Sequence, residues 1–210
     1  DYEVESEGRG NWSSLTATQL SEFSPVSILI NHTWDSISRA ITASVIANYT
    51  DNSAGNTRIV LMIVEDSVTG TSSDYDQENA YSNTIGHPYY GAGNSISGFT
   101  HRHVLRGYAN GGPFGIDNLI PNIVSAGGNF QYTFNYTLPA NFDEKQISLV
   151  AAVVKYMDGN DAGYVGIRGK REVYNAEKVQ LISLNTPPPL AIYENTSDLQ
   201  IFPNPTNGLV

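Results

Sequence analysis

Phe130-Gln-Tyr-Thr-Phe-Asn-Tyr-Thr-Leu138 is the stretch on which the reading of the fold turns. Phe130, Tyr132, Phe134, Tyr136 and Leu138 alternate with Gln131, Thr133, Asn135 and Thr137 without exception. A period of two places every large apolar side chain on one face of an extended chain and every polar one on the other. Such a strand has one dry face and one wet face, as in an antiparallel sheet that covers a core from one side.

Working outward, the same period recurs. In 38–50, Ile41, Ala43, Val45, Ala47 and Tyr49 share one side against Thr42, Ser44, Asn48 and Thr50, with Ile46 as the exception. In 26–34, Val26, Ile28 and Ile30 share a face, and Leu29 breaks the polar side. Two further stretches, 58–66 and 146–157, are apolar on both faces, which is the pattern of central strands. With 99–109, 128–138 and 173–184 this makes about seven main strands, short-connected except at two loops. The longer loop, 67–98, has no sustained period, and a loop of that length in a compact domain is functional or disordered. The expected fold is all-β: a two-sheet antiparallel β-sandwich, immunoglobulin/fibronectin-like, with a long inserted loop. An up-and-down barrel is the alternative. The sandwich is expected to occupy 26–186. Residues 1–25 read as a linker or seam with a short helix from Ser14 to Phe23, ended by Pro25. Pro187-Pro-Pro189 opens a separate linker and tail, 187–210.

Composition narrows the function. The chain has 210 residues and no cysteine, which removes disulfides, cysteine nucleophiles and thiolate metal sites together. Its net charge of -10 repels a nucleic-acid backbone, and no basic run exceeds Lys170-Arg171. No apolar run is long enough for a transmembrane helix. The chain starts at Asp1 and reads as a processed segment of something longer. Five Asn-x-Ser/Thr triplets, at Asn11, Asn31, Asn48, Asn135 and Asn195, are read as chance in an asparagine- and threonine-rich chain.

Phe99-Thr-His-Arg-His-Val-Leu-Arg106 is the densest chemical stretch. On a strand, His101 and His103 would share a face and Arg102 and Arg106 the other. The two histidines would bind zinc only with a third ligand such as His87 or Asp66. The plainer expectation is structural: histidines bonded to neighbouring carbonyls or carboxylates, and Arg102 or Arg106 paired with Asp66 or Glu65. Asp74, Asp76 and Glu78, and the turn containing Asp158, Asn160 and Asp161, carry oxygens that would suit calcium. None matches a calcium-binding helix-loop-helix, and tight turns favour the same residues. No other cofactor is implied. Tyr81, Tyr89 and Tyr90, with Phe114 on the neighbouring loop, are the candidate ligand platform, for a glycan, a peptide or a partner protein. The alternative is that these rings fold back over an edge of the sandwich. There is no Gly-x-Ser-x-Gly and no His-Glu-x-x-His.

His101-Arg-His-Val-Leu-Arg106 before a glycine-rich turn resembles a hallmark of the Omp28-related outer membrane proteins of Bacteroidetes. Gly10-Asn-Trp-Ser13, Ser24-Pro-Val26, Val64-Glu-Asp66 and Glu172-Val-Tyr-Asn-Ala-Glu-Lys-Val179 add to the likeness, which spans roughly 10–184. Independently, Leu199-Gln-Ile-Phe-Pro-Asn-Pro-Thr-Asn-Gly208 resembles the opening of a type IX secretion C-terminal sorting domain. The resemblances imply export to the outer membrane surface or the extracellular space, with the type IX machinery as a partner through the tail. They also imply a thioredoxin-like domain preceding the sandwich in many relatives, with residues 1–25 as the seam. They supply no catalytic residues, and seven strands of this length do not describe a porin. The expected function is a non-catalytic surface or secreted accessory module that binds a ligand. A structural spacer and a metal-assisted hydrolase using His101, His103 and a loop acid are the alternatives.

Overall fold

The computed structural model describes residues 9–21, 23–110, 112–156 and 173–182. The turn holding Asp158, Asn160 and Asp161, and the tail 187–210, lie outside the described residues. Among the described residues a helix, α1 (Trp12–Ser21), precedes eleven strands. They are β1 (Val26–Asp35), β2 (Ala40–Tyr49), β3 (Ser53–Ala54), β4 (Thr57–Glu65), β5 (Gln77–Glu78), β6 (Ser95–Ile96), β7 (Val104–Tyr108), β8 (Ile123–Val124), β9 (Asn129–Thr137), β10 (Ile147–Lys155) and β11 (Val173–Gln180).

The seven strands of five residues or more form two sheets, β1-β2-β9 and β11-β10-β4-β7, antiparallel throughout. The pairs β3-β8 and β5-β6 are two residues long each. This is the expected sandwich. In the constant-type immunoglobulin order the fourth strand joins the first sheet. Here the fourth long strand, β7, pairs with the third, β4, and stays in the second.

The alternation predicts the packing. Ile41, Ala43, Val45, Ala47 and Tyr49 of β2 are all buried, and so are Phe134 and, just past β9, Leu138. They meet Ile59, Leu61 and Ile63 of β4 and Ile147, Leu149, Ala151 and Val153 of β10 in one core. Each fully buried Val, Leu, Ile or Phe among them contributes roughly 1.5–3 kcal/mol. β4 and β10 are flanked by strands on both sides, and a second cluster, Val60, Ala152 and Val154 with Met62 and Tyr108, lines their other face. That explains their two-sided apolar sequence. Gly115 makes part of this cover: a Cβ there would stand 2.7 Å from the Ile59 carbonyl, and its φ of +73° suits glycine.

One expected strand is much shorter than its sequence suggests. The 99–109 run becomes β7 only at Val104, because His103 sits at φ 55° and donates its backbone N–H to Asp66 Oδ1 at 2.6 Å. His101 makes a lone bridge with Val68. The alternation that would have put both histidines on one strand face is broken at His103.

The insertion between β4 and β7 is fastened in steps. At its root, Arg106 pairs with the buried Glu65 at 3.0 Å, and Glu65 Oε1 also accepts the Asp143 N–H at 2.8 Å. Arg106 lies over the Phe142 ring, 4.1 Å from its centre. Next come the Val68–His101 bridge and a bond from His101 Nε2 to the Tyr75 carbonyl at 2.8 Å. β5 and β6 then pair. Beyond them, buried Asn79 donates to the carbonyls of Tyr89 (3.0 Å) and Gly93 (2.8 Å) and accepts the Tyr81 N–H (3.0 Å).

Glu65→Ala leaves Arg106 without its carboxylate and costs about 3 kcal/mol, the usual result of stripping one partner from a buried ion pair. The midpoint of thermal unfolding then falls by roughly 6–12 °C. Asn79→Ala removes three bonds and loosens residues 80–93 by about 2 kcal/mol, which limited proteolysis reads as early cuts there while the sandwich melts nearly as before. Burial raises the Tyr49 phenol above its ordinary value, against a bond to Thr57 Oγ1 at 2.9 Å that lowers it. A raised folded value means the contribution is complete below the ordinary phenol range, about pH 10, and is lost as pH rises through the folded value. Tyr49→Phe therefore removes an alkaline step from the stability profile and costs about 1 kcal/mol at neutral pH.

Candidate functional site

The insertion gathers rings from residues 81–101 into contact. Tyr81 and His87 stack with centres 4.0 Å apart and planes 12° off parallel. His87 stands 5.6 Å from Tyr89, Tyr89 6.4 Å from Phe99, and Phe99 5.0 Å from His101. The five rings form one continuous row. His87 Nδ1 accepts the Tyr89 backbone N–H at 3.2 Å, which sets the turn carrying both. At the His101 end the row joins the root of the insertion.

The row is partly open to solvent: Tyr81 is 41% exposed and Tyr89 37%, with neighbouring Tyr90 at 53%. Tyr89 and Phe99, with Ile96, Gly98, Thr100 and Arg102, line a shallow cleft of about 530 Å³. That falls within the range of small-molecule sites. A second cleft of about 420 Å³, around β3 and β8, is lined by Asn52, Ser53, Ala54, Ile123, Val124 and Ser125, with neither a ring nor a charge.

Of the expected platform, Tyr81 and Tyr89 are brought into the row and Tyr90 lies beside it in the chain. Phe114 is placed elsewhere. It follows the far end of β7 and packs against Tyr156 with ring centres 6.0 Å apart, beside the end of β4 where Arg58 pairs with Asp117. Asn79, His87 and Phe99 belong to the arrangement without having been expected in it. His87, a candidate third metal ligand by sequence, is here a stacking ring.

The expected metal residues are spread out. Asp74 Oδ2 accepts from Ser72 Oγ at 3.1 Å, within a 3-10 turn that Ser72 caps. Asp76 Oδ2 accepts from Ser95 Oγ at 3.3 Å and Ser97 Oγ at 3.1 Å, while Glu78 lies in β5. His103 stands exposed beside Asp66. Among the described residues no three of His, Asp and Glu gather where they could hold a metal ion. Of the two arginines on the His-Arg-His stretch, Arg106 is the one that pairs with Glu65. Arg102 faces the cleft.

Among the described residues no helix is long and apolar enough to cross a membrane. No curated protein matches the chain. Among solved structures, a crystal structure of a domain of the outer membrane lipoprotein Omp28 from Porphyromonas gingivalis aligns with 76% of this chain and 89% of that one. Its identity to this chain is 16% and its TM-score 0.40. The family model described as outer membrane protein Omp28 matches residues 1–165, well over half of the 210. The chain belongs to the Omp28 outer membrane protein family.

Proposed function

We propose that this chain is a non-catalytic binding module, carried on the outer membrane surface or released from it, whose ligand lies against the ring row of the insertion. The observation that carries this reading is the row itself, with Tyr81 and Tyr89 open to solvent beside a cleft. Tyrosines offer large, rigid contact area at small entropic cost, with a hydroxyl at the rim to hydrogen-bond. Bonds from Asn79 and His87 hold the backbone of Tyr81 and Tyr89 before any ligand arrives, which lowers the cost of binding. A spacer would need no such arrangement on an insertion.

Membership of an outer membrane family supports the location. The Leu199 to Gly208 stretch supports the route: a type IX sorting segment of Bacteroidetes kind, with the secretion machinery as the partner of the tail. The ligand itself is a glycan, a peptide or a partner protein. The mode of contact requires no metal, since rings, hydroxyls and backbone groups suffice to hold such a surface.

Screening the purified chain against glycan and peptide arrays tests the reading. A ligand found there is expected to bind the Tyr81→Ala/Tyr89→Ala variant at least about tenfold more weakly, the effect of losing roughly 1.4 kcal/mol of ring contact. Far-ultraviolet circular dichroism checks that the variant keeps its sheets. Binding unchanged in that variant would move the ligand off the row.

A further inference from the structure

Among the described residues Arg102 carries no ion pair, unlike Arg39, Arg58 and Arg106. Arg39 pairs with Glu144 at 3.1 Å and lies over Trp34 at 5.6 Å. Arg58 pairs with Asp117 at 2.7 Å and lies over Tyr156 at 3.6 Å. Arg106 pairs with Glu65 at 3.0 Å and lies over Phe142 at 4.1 Å. Each guanidinium thus grips one carboxylate while resting on one ring. Arg102 is exposed on the wall of the cleft and, among the described residues, carries no ion pair and no ring beneath it. Two acids of the insertion have other partners: Asp66 takes the His103 N–H, and Asp76 takes the hydroxyls of Ser95 and Ser97.

The chain carries a net charge of -10 with only 11 Lys and Arg, so a free arginine beside an open cleft is a distinct electrostatic feature. A guanidinium meets a carboxylate with two parallel hydrogen bonds, which gives direction as well as energy. Tyr89, Phe99 and Thr100 line the same cleft. Gly98, at φ +67°, has open space where a side chain would begin, so a ligand can reach the backbone. A hydroxylated pyranose bearing a carboxylate offers a C–H face to the rings, hydroxyls to Thr100 and the backbone, and an anion to Arg102. An extended peptide fits less well. β5 and β6 are two residues each and offer no length of edge to pair with, and the shallow cleft gives a side chain little to enter.

We propose that the cleft takes a saccharide carrying a carboxylate, of the uronic-acid class, with Arg102 as its anchor and Tyr89 and Phe99 as its wall. This rests on the reading of the ring row as the binding surface, and names the chemistry of what it binds.

The test is a heteronuclear NMR titration of the intact chain with three probes: an oligogalacturonate, the same oligomer fully methyl-esterified, and a short peptide with a free C-terminal carboxylate. The acid oligomer is expected to shift the amides of Gly98 to Arg102 and to bind about tenfold more tightly than the ester. Arg102→Ala is expected to abolish that preference while leaving the sandwich spectrum in place, and Arg102→Lys to keep part of it. Equal binding of acid and ester at these amides, or a preference that survives Arg102→Ala, overturns the anchor but leaves the binding surface standing. Shifts with the peptide alone overturn the saccharide. No shifts at the cleft with any probe overturn both the saccharide and the surface.

Discussion

Taking the carboxylate of Glu65 out of water costs several kcal/mol unless a cation and further donors meet it. Arg106 and the Asp143 N–H do so, and their placement explains why two parts of the molecule stay together. Glu65 is the last residue of β4, Arg106 lies in β7, and Asp143 belongs to the connection from β9 to β10. One buried charge therefore holds the end of a central strand, the return of the insertion and the crossing between the sheets. The residues on either side extend the grip. Asp66 takes the His103 N–H, and the Phe142 ring lies under the guanidinium. Since 66 and 103 are the ends of the insertion, nearly forty residues leave and return through a closed gate.

The same device recurs with different partners. Arg39 reaches the carbonyls of Leu138, Pro139 and Phe142 as well as Glu144, so it binds the connection from β9 to β10 from the other side. Arg58 holds the 112–117 turn through Asp117. A chain without cysteine has no covalent staple for its connections. Here arginines lock them, each held by a charge and a ring at once. Guanidinium suits this because it is planar, weakly hydrated and always charged.

The strands were legible because burial acts on a period of two, and that period is written in side-chain type. Phe134 and Leu138 are nearly fully buried, while Gln131 and Thr133 are exposed, as the alternation requires. The two-sided runs at 58–66 and 146–157 fall at the centre of the four-stranded sheet for the same reason. The His-Arg-His stretch departs from its sequence pattern, since Thr100 to Arg106 reads as extended by residue type. What stops the strand is a hydrogen bond that the His103 N–H donates to a carboxylate 37 residues earlier, which no local period records. Asn79 was invisible for a related reason. Its role is three side-chain-to-backbone bonds within a loop, and an asparagine in Glu-Asn-Ala-Tyr looks like any surface residue. The tyrosines could be named from composition, but their order along the row depends on those bonds. Phe114 shared a glycine-rich setting with them and nothing more.

An insertion that only filled space would be expected to bury its rings or shed them. This one spends its bonds on holding backbone, and leaves ring surface facing water. Asn79 and His87 fix the carbonyls and amides around Tyr81 and Tyr89, and His101 ties the far end of the row to Tyr75. The hydroxyls of Ser95 and Ser97 meet Asp76, leaving Arg102 as the formal charge on the cleft wall. For the proposed ligand, a surface whose backbone is already held and whose charge is free loses little conformational entropy on contact. The sandwich supports it from below: β4 and β7 pair at the root of the insertion and are clasped there by Glu65 and Arg106.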